Sequence, residues 1–121
     1  FYVVDGGKMS VLGDLKTALK SVCTEVAMDV YDGNADTYIV YNVAAEKPGG
    51  FADDNPAVNE MYFQVHLFVP LNKNYLNMQK AIKTALFLSG FSYPKVALNT
   101  VERDVKKRHI CYETNIAESE V

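Results

Sequence analysis

The clearest strand of the chain reads Met61-Tyr62-Phe63-Gln64-Val65-His66-Leu67-Phe68-Val69-Pro70. Every second side chain, from Met61 to Val69, is apolar, whereas the side chains between them include Gln64 and His66. A period of two with one fully apolar face predicts a β-strand that packs this face on a core. Pro70 ends the strand, because proline cannot donate a hydrogen bond to a neighbouring strand.

A helix and a second strand are predicted on the N-terminal side. Apolar residues follow Ser10 in steps of three and four, which is the spacing of one helix face, and the Ser10 hydroxyl can cap the first turn. We therefore place a helix at about residues 11–28. Asp32-Gly33-Asn34 is typical of a turn. The next stretch, Thr37-Tyr38-Ile39-Val40-Tyr41, is rich in β-branched and aromatic residues and predicts a strand.

A second helix and two closing strands are predicted on the C-terminal side. Asn72 or Asn74 can cap this helix, and Gly90 supplies its C-terminal stop. The closing strands are expected at residues 96–98 and 107–116.

The predicted order of elements is therefore α-β-β-α-β-β. This order favours a single α+β domain, with a mainly antiparallel four-stranded sheet and two helices packed on one face. A length of 121 residues fits one domain, which we assign to residues 9–121. Residues 1–8 precede an internal Met9 and are interpreted either as leftover expression sequence or as an extended N-terminal arm.

The composition narrows the class of protein. A formal net charge of −3 argues against a dedicated duplex-binding domain. No apolar run approaches the roughly 18 residues that span a bilayer, so no membrane partner is expected. The two cysteines, Cys23 in the helical pattern and Cys111 in a strand pattern, are expected to be reduced packing residues.

No motif of catalysis or cofactor binding is evident in the sequence. His66 and His109 have no partner at short spacing, and we interpret both as structural histidines. Asp53 and Asp54 could join Glu60 around a metal ion, but paired carboxylates in such a loop are more often solvated. We therefore expect a protein that is not an enzyme and that has no catalytic, cofactor-binding or metal-binding residues.

Two segments are candidates for contacts with partners. Residues 44–60 are rich in Gly, Pro and Asp and predict a long loop, and loops of this length are often functional. Residues 103–109 contain a basic cluster, which indicates contact with a phosphate backbone or an acidic subunit, or else a solvated hairpin end that protects a sheet edge. Alternation would place Lys106 and Arg108 on one strand face, with Lys107 and His109 on the other.

The aromatic residues of the predicted strands are numerous for a chain of this size. We expect most of them to lie in the core, and any surplus on the face away from the helices would be covered most simply by a partner subunit. They are Tyr38, Tyr41, Tyr62, Phe63, Phe68 and Tyr112.

The order of these segments resembles that of the tail-completion (tail-terminator) proteins of long-tailed bacteriophages and prophages. The resemblance covers nearly all of the chain from Met9 to about Glu118. It is carried by the amphipathic first helix, Thr37-Tyr38-Ile39-Val40-Tyr41, the loop with Ala52-Asp53, Tyr62-Phe63-Gln64-Val65-His66-Leu67-Phe68-Val69-Pro70, Ser89-Gly90-Phe91, and His109-Ile110-Cys111-Tyr112-Glu113-Thr114-Asn115-Ile116.

The resemblance implies a structural function. Such proteins assemble as rings, commonly hexamers, cap the head-proximal end of the tail tube, and help to join the tail to the filled head. The implied partners are further copies of the chain, the tube protein and a head-completion or connector protein. DNA would pass through the lumen without sequence-specific binding. The implied location is the host cytoplasm during assembly and then the virion.

Under this hypothesis the candidate interface residues come from the long loop and the basic cluster. They are Lys47, Phe51, Asp53, Asp54, Arg103, Lys106, Lys107 and Arg108. The main alternative is a regulatory module of αββαββ order that binds a small ligand where two sheets pair. A small enzyme that uses His66 or His109 is a third interpretation.

Overall fold

A computed structural model describes residues 10–49 and 58–119 of the chain. It contains α1 (Val11–Lys20), β1 (Val26–Met28), β2 (Tyr38–Gly49), β3 (Val58–Pro70), α2 (Leu76–Leu88), β4 (Lys95–Glu102) and β5 (Lys107–Ser119). The predicted N-terminal segment 1–8 and the ends of the predicted domain lie outside the described residues. Within those residues, neither helix is long and apolar enough to cross a membrane.

The predicted four-stranded sheet and its α-β-β-α-β-β order are wrong. In the described part of the chain, the sheet has five strands in the spatial order β1-β2-β3-β5-β4, and the elements follow in the order α-β-β-β-α-β-β. It is a mixed sheet, because β1 lies parallel to β2 while every other pair of neighbours is antiparallel.

The additional strand comes from the end of the predicted first helix. Residues 11–28 were expected to be helical, but α1 ends at Lys20. The chain then pairs with β2: Ile39 N–H donates to the Glu25 carbonyl at 2.9 Å, and Asp29 N–H donates to the Tyr41 carbonyl at 2.9 Å. Val26 continues the helical spacing of apolar residues. Its segment nevertheless forms a strand, because pairing with the longer β2 satisfies its backbone N–H and C=O groups.

The core lies between the two helices and one face of the sheet. The predicted apolar row of β3 is confirmed, since Phe63, Val65, Leu67 and Val69 are at most 1% exposed. Met61 is partly buried at the edge of the same cluster. The helices contribute fully buried leucine and isoleucine side chains, and β2 and β5 contribute further apolar residues: Leu15, Leu19, Ile82, Leu86, Ile39, Ile110, Tyr112 and Ile116.

The prediction of a loop over residues 44–60 is wrong at both ends, because β2 and β3 extend into this range as strands. They pair as far as Gly49 and Val58, with a register shift between Val43 and Ala45. Residues 50–57 lie outside the described residues. Pairing along a full antiparallel ladder outweighs the weak strand propensity of the Ala, Glu, Lys and Pro residues in this part of β2.

The predicted cap of α1 and the predicted stop of α2 are confirmed. Ser10 Oγ accepts a hydrogen bond from Gly13 N–H at 3.1 Å. The N-cap of α2 is Tyr75, without a side-chain capping bond, rather than Asn72 or Asn74; Asn74 Oδ1, one residue earlier, accepts from Leu76 N–H at 2.9 Å. Gly90 has a φ of 98°, which favours glycine. Phe91, which follows it, is buried, and its N–H donates to the Leu86 carbonyl at 3.0 Å, as in a common helix-ending motif.

Candidate functional site

The side of the sheet that faces away from both helices is the candidate functional site, and we call it the open face. It is formed by the alternate side chains that the core does not use. Half of the six aromatic residues singled out in the sequence, Tyr41, Phe63 and Tyr112, are buried. The remaining three, Tyr38, Tyr62 and Phe68, lie on the open face. The open face comprises Tyr38, Val40, Asn42, Tyr62, Gln64, His66, Phe68, Leu98, Thr100, Glu102, Lys107, His109, Cys111 and Glu113.

Stacked rings run across one end of the open face. The strand register places Tyr38, Phe68 and His109 side by side on β2, β3 and β5. Their rings stack, with centroids 4.8 Å apart for Tyr38 and Phe68 and 4.3 Å apart for Phe68 and His109. Tyr31, from the segment between β1 and β2, stacks on Tyr38 at 4.2 Å. The rings therefore cover one another, which explains how they remain half-buried without a helix above them.

Tyr31 is held in this stack by two hydrogen bonds. Its hydroxyl donates to Glu25 Oε1 at 2.8 Å and accepts from the backbone N–H of Ala35 at 3.0 Å. The pKa of the Tyr31 hydroxyl is raised, chiefly by burial. The hydroxyl therefore stays protonated, which keeps it able to donate to Glu25.

The open face also brings together the two histidines. His66 lies opposite Cys111 and Phe68 lies opposite His109, so the histidines are diagonal neighbours on adjacent strands. His66 Nδ1 and His109 Nε2 are 2.8 Å apart. Diagonal neighbours in a sheet are within reach of aromatic side chains. This contact could not be predicted from the sequence, because it depends on strand register and joins two residues that lie 43 positions apart.

Each histidine uses its other ring nitrogen for a hydrogen bond to an oxygen. His109 Nδ1 lies 2.9 Å from Glu102 Oε1, and His66 Nε2 lies 3.1 Å from Asn42 Oδ1. Asn42 Nδ2 in turn donates to Gln64 Oε1 at 3.3 Å. A continuous polar chain therefore crosses the sheet from β4 to β2. Burial, and then the nearby His109, lower the pKa of His66.

The basic cluster does not form one patch. Arg108 lies on the helix side of the sheet, where its guanidinium is 5.1 Å from the centroid of the Tyr75 ring and donates to Asn99 Oδ1 at 2.8 Å. Lys107 lies on the open face, 5.8 Å from the centroid of the Tyr38 ring, and donates to the Asp36 carbonyl. The predicted separation of Arg108 from Lys107 and His109 is therefore confirmed. Lys106 precedes β5, in the turn that begins at Arg103.

The remaining candidate residues belong to the β2–β3 hairpin. Lys47 lies in β2 opposite Glu60, and its ammonium is 5.3 Å from the centroid of the Tyr62 ring. The candidates Phe51, Asp53 and Asp54 lie outside the described residues. Among the residues that are described, no three His, Cys, Asp or Glu side chains are grouped so that they could hold a metal ion.

Both cysteines are free thiols, as predicted. Cys111 lies in β5 and is buried, and burial raises the pKa of its thiol. A raised pKa keeps a thiol protonated and poorly nucleophilic. Cys23 follows α1 rather than lying within it, and it packs against the core. Both are therefore packing residues.

A cavity of about 440 Å³ is lined by residues of β2, β3 and β5 and by the segment that leads from α2 into β4. Its lining includes the charged side chains of Lys47, Lys95 and Glu113, together with Tyr62 and Asn115. A volume of this order is within the range of small-molecule sites.

Comparisons with known proteins support the fold alone. The chain matches no protein-family model and no curated protein sequence. Ten chains of solved structures are similar to it. One of them, a protein whose name describes no function, shares 12% sequence identity at a TM-score of 0.52, with 89% of this chain and 94% of that chain covered.

Proposed function

We propose that this chain is a structural virion assembly protein that caps the head-proximal end of a phage tail tube, as a ring, and helps to join the tail to the head. The observation that carries this proposal is the outer edge of β4. In the described part of the chain β4 pairs only with β5, so its other edge is available to a second subunit.

The outer edge of β4 has the chemistry of a subunit contact. An edge strand presents unpaired backbone N–H and C=O groups, which natural proteins cover, shorten or charge. This one is eight residues long, and three of its apolar side chains are exposed: Val96 by 42%, Leu98 by 46% and Val101 by 38%. Since a different surface of the next copy would receive this edge, repetition of the contact around an axis would close a ring.

Four of the eight candidate interface residues directly follow β4 in the chain. Arg103 and Lys106 lie in the turn between β4 and β5, and we propose that they pair with acidic residues of a neighbouring copy or face the lumen. Lys107 and Arg108 already contact Tyr38 and Tyr75 within the chain. We propose that the β2–β3 hairpin, with Lys47, contacts the tube protein or a connector protein.

The test is to add the purified protein to tail tubes that are assembling from the cognate tube protein. Electron microscopy then measures tube length and the structure of tube ends. We expect tubes that stop growing and carry a ring at one end. Tubes that continue to grow, uncapped, at a saturating concentration of the protein would contradict the terminator function.

A pair of variants separates the edge contact from general effects of charge. Val101→Glu places a carboxylate on the β4 edge, and we expect it to remain folded and to lose capping. Leu76→Glu is the matched control, because Leu76 is 55% exposed and lies at the start of α2, where a carboxylate is favourable. Equal capping by both variants would contradict the proposed role of β4.

The cavity supports a second candidate function, the binding of a small ligand by a regulatory module. Lys47, Lys95 and Glu113 give it charges of both signs, which suits a zwitterionic or anionic metabolite. A panel of amino acids, nucleotides and organic acids, screened by thermal denaturation, tests this alternative, since a ligand that binds only the native state raises Tm. A rise in Tm that Tyr62→Ala abolishes would favour the regulatory function over the structural one.

A further inference from the structure

Three hydrogen bonds lie in line on the open face and join four side chains. From β4 towards β2, they connect Glu102 Oε1 with His109 Nδ1 at 2.9 Å, His109 Nε2 with His66 Nδ1 at 2.8 Å, and His66 Nε2 with Asn42 Oδ1 at 3.1 Å. Asn42 Nδ2 donates to Gln64 Oε1 at 3.3 Å, and the Asn42 oxygen faces His66.

The hydrogen atoms that these three hydrogen bonds require can be counted. A carboxylate oxygen and an amide oxygen only accept, so the outer two bonds place one hydrogen on His109 Nδ1 and one on His66 Nε2. The middle bond, between two ring nitrogens, needs a third hydrogen. Two neutral imidazoles carry only two ring hydrogens between them. With the Asn42 oxygen facing His66, the pair of histidines therefore holds one additional proton, and with it one positive charge.

The geometry also indicates where the middle hydrogen lies. His109 Nδ1 donates to the Glu102 carboxylate at 2.9 Å. His66 has a neutral amide at its outer nitrogen. The lowered pKa of His66, which is due to burial and to His109, agrees with a neutral ring at this position. We therefore place the middle hydrogen on His109 Nε2, from which His66 accepts it through Nδ1.

We propose that His66 and His109 form a single-proton switch in the open face. With the shared proton, all three hydrogen bonds exist and the His109 ring is fixed against Phe68. Without it, only two hydrogens remain. Either the bond to Asn42 is then lost, or the Asn42 amide turns over and donates from Nδ2. The hydrogen-bonding groups that the open face presents at Asn42 and Gln64 therefore depend on pH.

The charged and titratable groups around the pair come from all the strands that surround it. Lys107 is engaged with Tyr38 and the Asp36 carbonyl, and Glu113 is 3.9 Å from Lys95. Glu102 is therefore the one carboxylate in direct contact with the pair in the described part of the chain. These neighbouring groups are Tyr38 on β2, Glu102 on β4, and Lys107, Cys111 and Glu113 on β5.

The test is nitrogen-15 NMR of the imidazole rings across a pH titration, carried out once with a chelator and once without it. The chain has two histidines, so the variants His66→Gln and His109→Gln assign the two sets of signals. We expect two separate titration steps. Between them, one ring is protonated on both nitrogens and the other carries hydrogen on Nε2 alone. Interacting sites titrate in such macroscopic steps, which belong to the pair.

Glu102→Gln is the matched variant, because it preserves an acceptor oxygen but removes the charge. We expect the shared proton to be released at a lower pH, and the ring signals of Phe68 to shift in the same step. The proposal would be overturned if the two histidines titrate in one step and if replacing either one leaves the titration of the other unchanged. A two-step pattern that appears only when the chelator is omitted would overturn it as well, since a metal ion would then occupy the position of the proton.

Discussion

Strand β3 contributes to two very different surfaces. On its helix side, Phe63, Val65 and Leu67 are at most 1% exposed and pack in the core. On its other side, Gln64, His66 and Phe68 are half-buried and contact one another or their neighbours on adjacent strands. The same backbone thus supports one surface that excludes water by packing against helices and another that is ordered by stacking and hydrogen bonds.

The difference indicates where stability and function reside. The helix side gains its free energy from the burial of apolar surface. The open face gains little in this way, but its polar groups are well paired: no buried side-chain nitrogen or oxygen in the described residues lacks a hydrogen-bond partner. A surface that is ordered but not covered can change its contacts without unfolding the chain.

The largest expected effect is that of removing a side chain from the covered side. Leu67→Ala should reduce the free energy of unfolding by about 2–5 kcal/mol, because it leaves a cavity in a packed core. Phe68→Ala, one position further on, should cost about 1 kcal/mol, mainly through lost stacking. Urea denaturation measures both. Equal losses would show that the two faces contribute alike to stability.

The next effect is a loss of stability in acid that depends on His66. Its pKa is lowered in the folded protein, so below the ordinary value of about 6.5 the unfolded chain takes up a proton that the folded chain resists. Stability should therefore fall as the pH falls through this window, and it should be unaffected by His66 above it. A tenfold lower proton affinity corresponds to about 1.4 kcal/mol.

The corresponding measurement is urea denaturation of the wild type and of His66→Gln at several pH values between 5 and 8, a range chosen around the ordinary histidine pKa. The variant should show a shallower decline in acid than the wild type. Parallel curves would mean that protonation of His66 is not linked to folding.

A smaller effect is expected at the outer end of the ring stack. Tyr31→Phe removes the hydroxyl that joins Glu25 and Ala35, and it should cost about 1 kcal/mol. Tyr93→Phe is the control, because Tyr93 is 58% exposed. A similar loss in both variants, measured by thermal denaturation, would show that the hydrogen bonds of Tyr31 contribute nothing specific.

The smallest effect concerns the ion pair between Lys95 and Glu113. Its two charged groups are 3.9 Å apart, and the lysine side chain is 79% exposed. Lys95→Ala should change the free energy of unfolding by less than about 0.5 kcal/mol, because water and salt screen such a pair. A loss above about 1 kcal/mol would show that solvent screens this ion pair less than its exposure indicates.

The sequence by itself determined the features that depend on local chemistry. Alternation identified the buried face of β3, and the Ser10 side chain, which can cap a helix, located the start of α1. Gly90, which follows the end of α2, was also identified as its stop from the sequence. Each of these depends on residues within one turn or one strand, so the pattern is present in the sequence itself.

Only the tertiary structure decided the features that depend on pairing between distant segments. Residues 26–28 are a strand because β2 supplies their hydrogen bonds, although their spacing also fits a helix. The contact between His66 and His109, and that between His109 and Glu102, arise from the register of β3, β5 and β4. Register is set by the fit of whole strands, so two histidines without a nearby partner in sequence become one hydrogen-bonded pair in the folded chain.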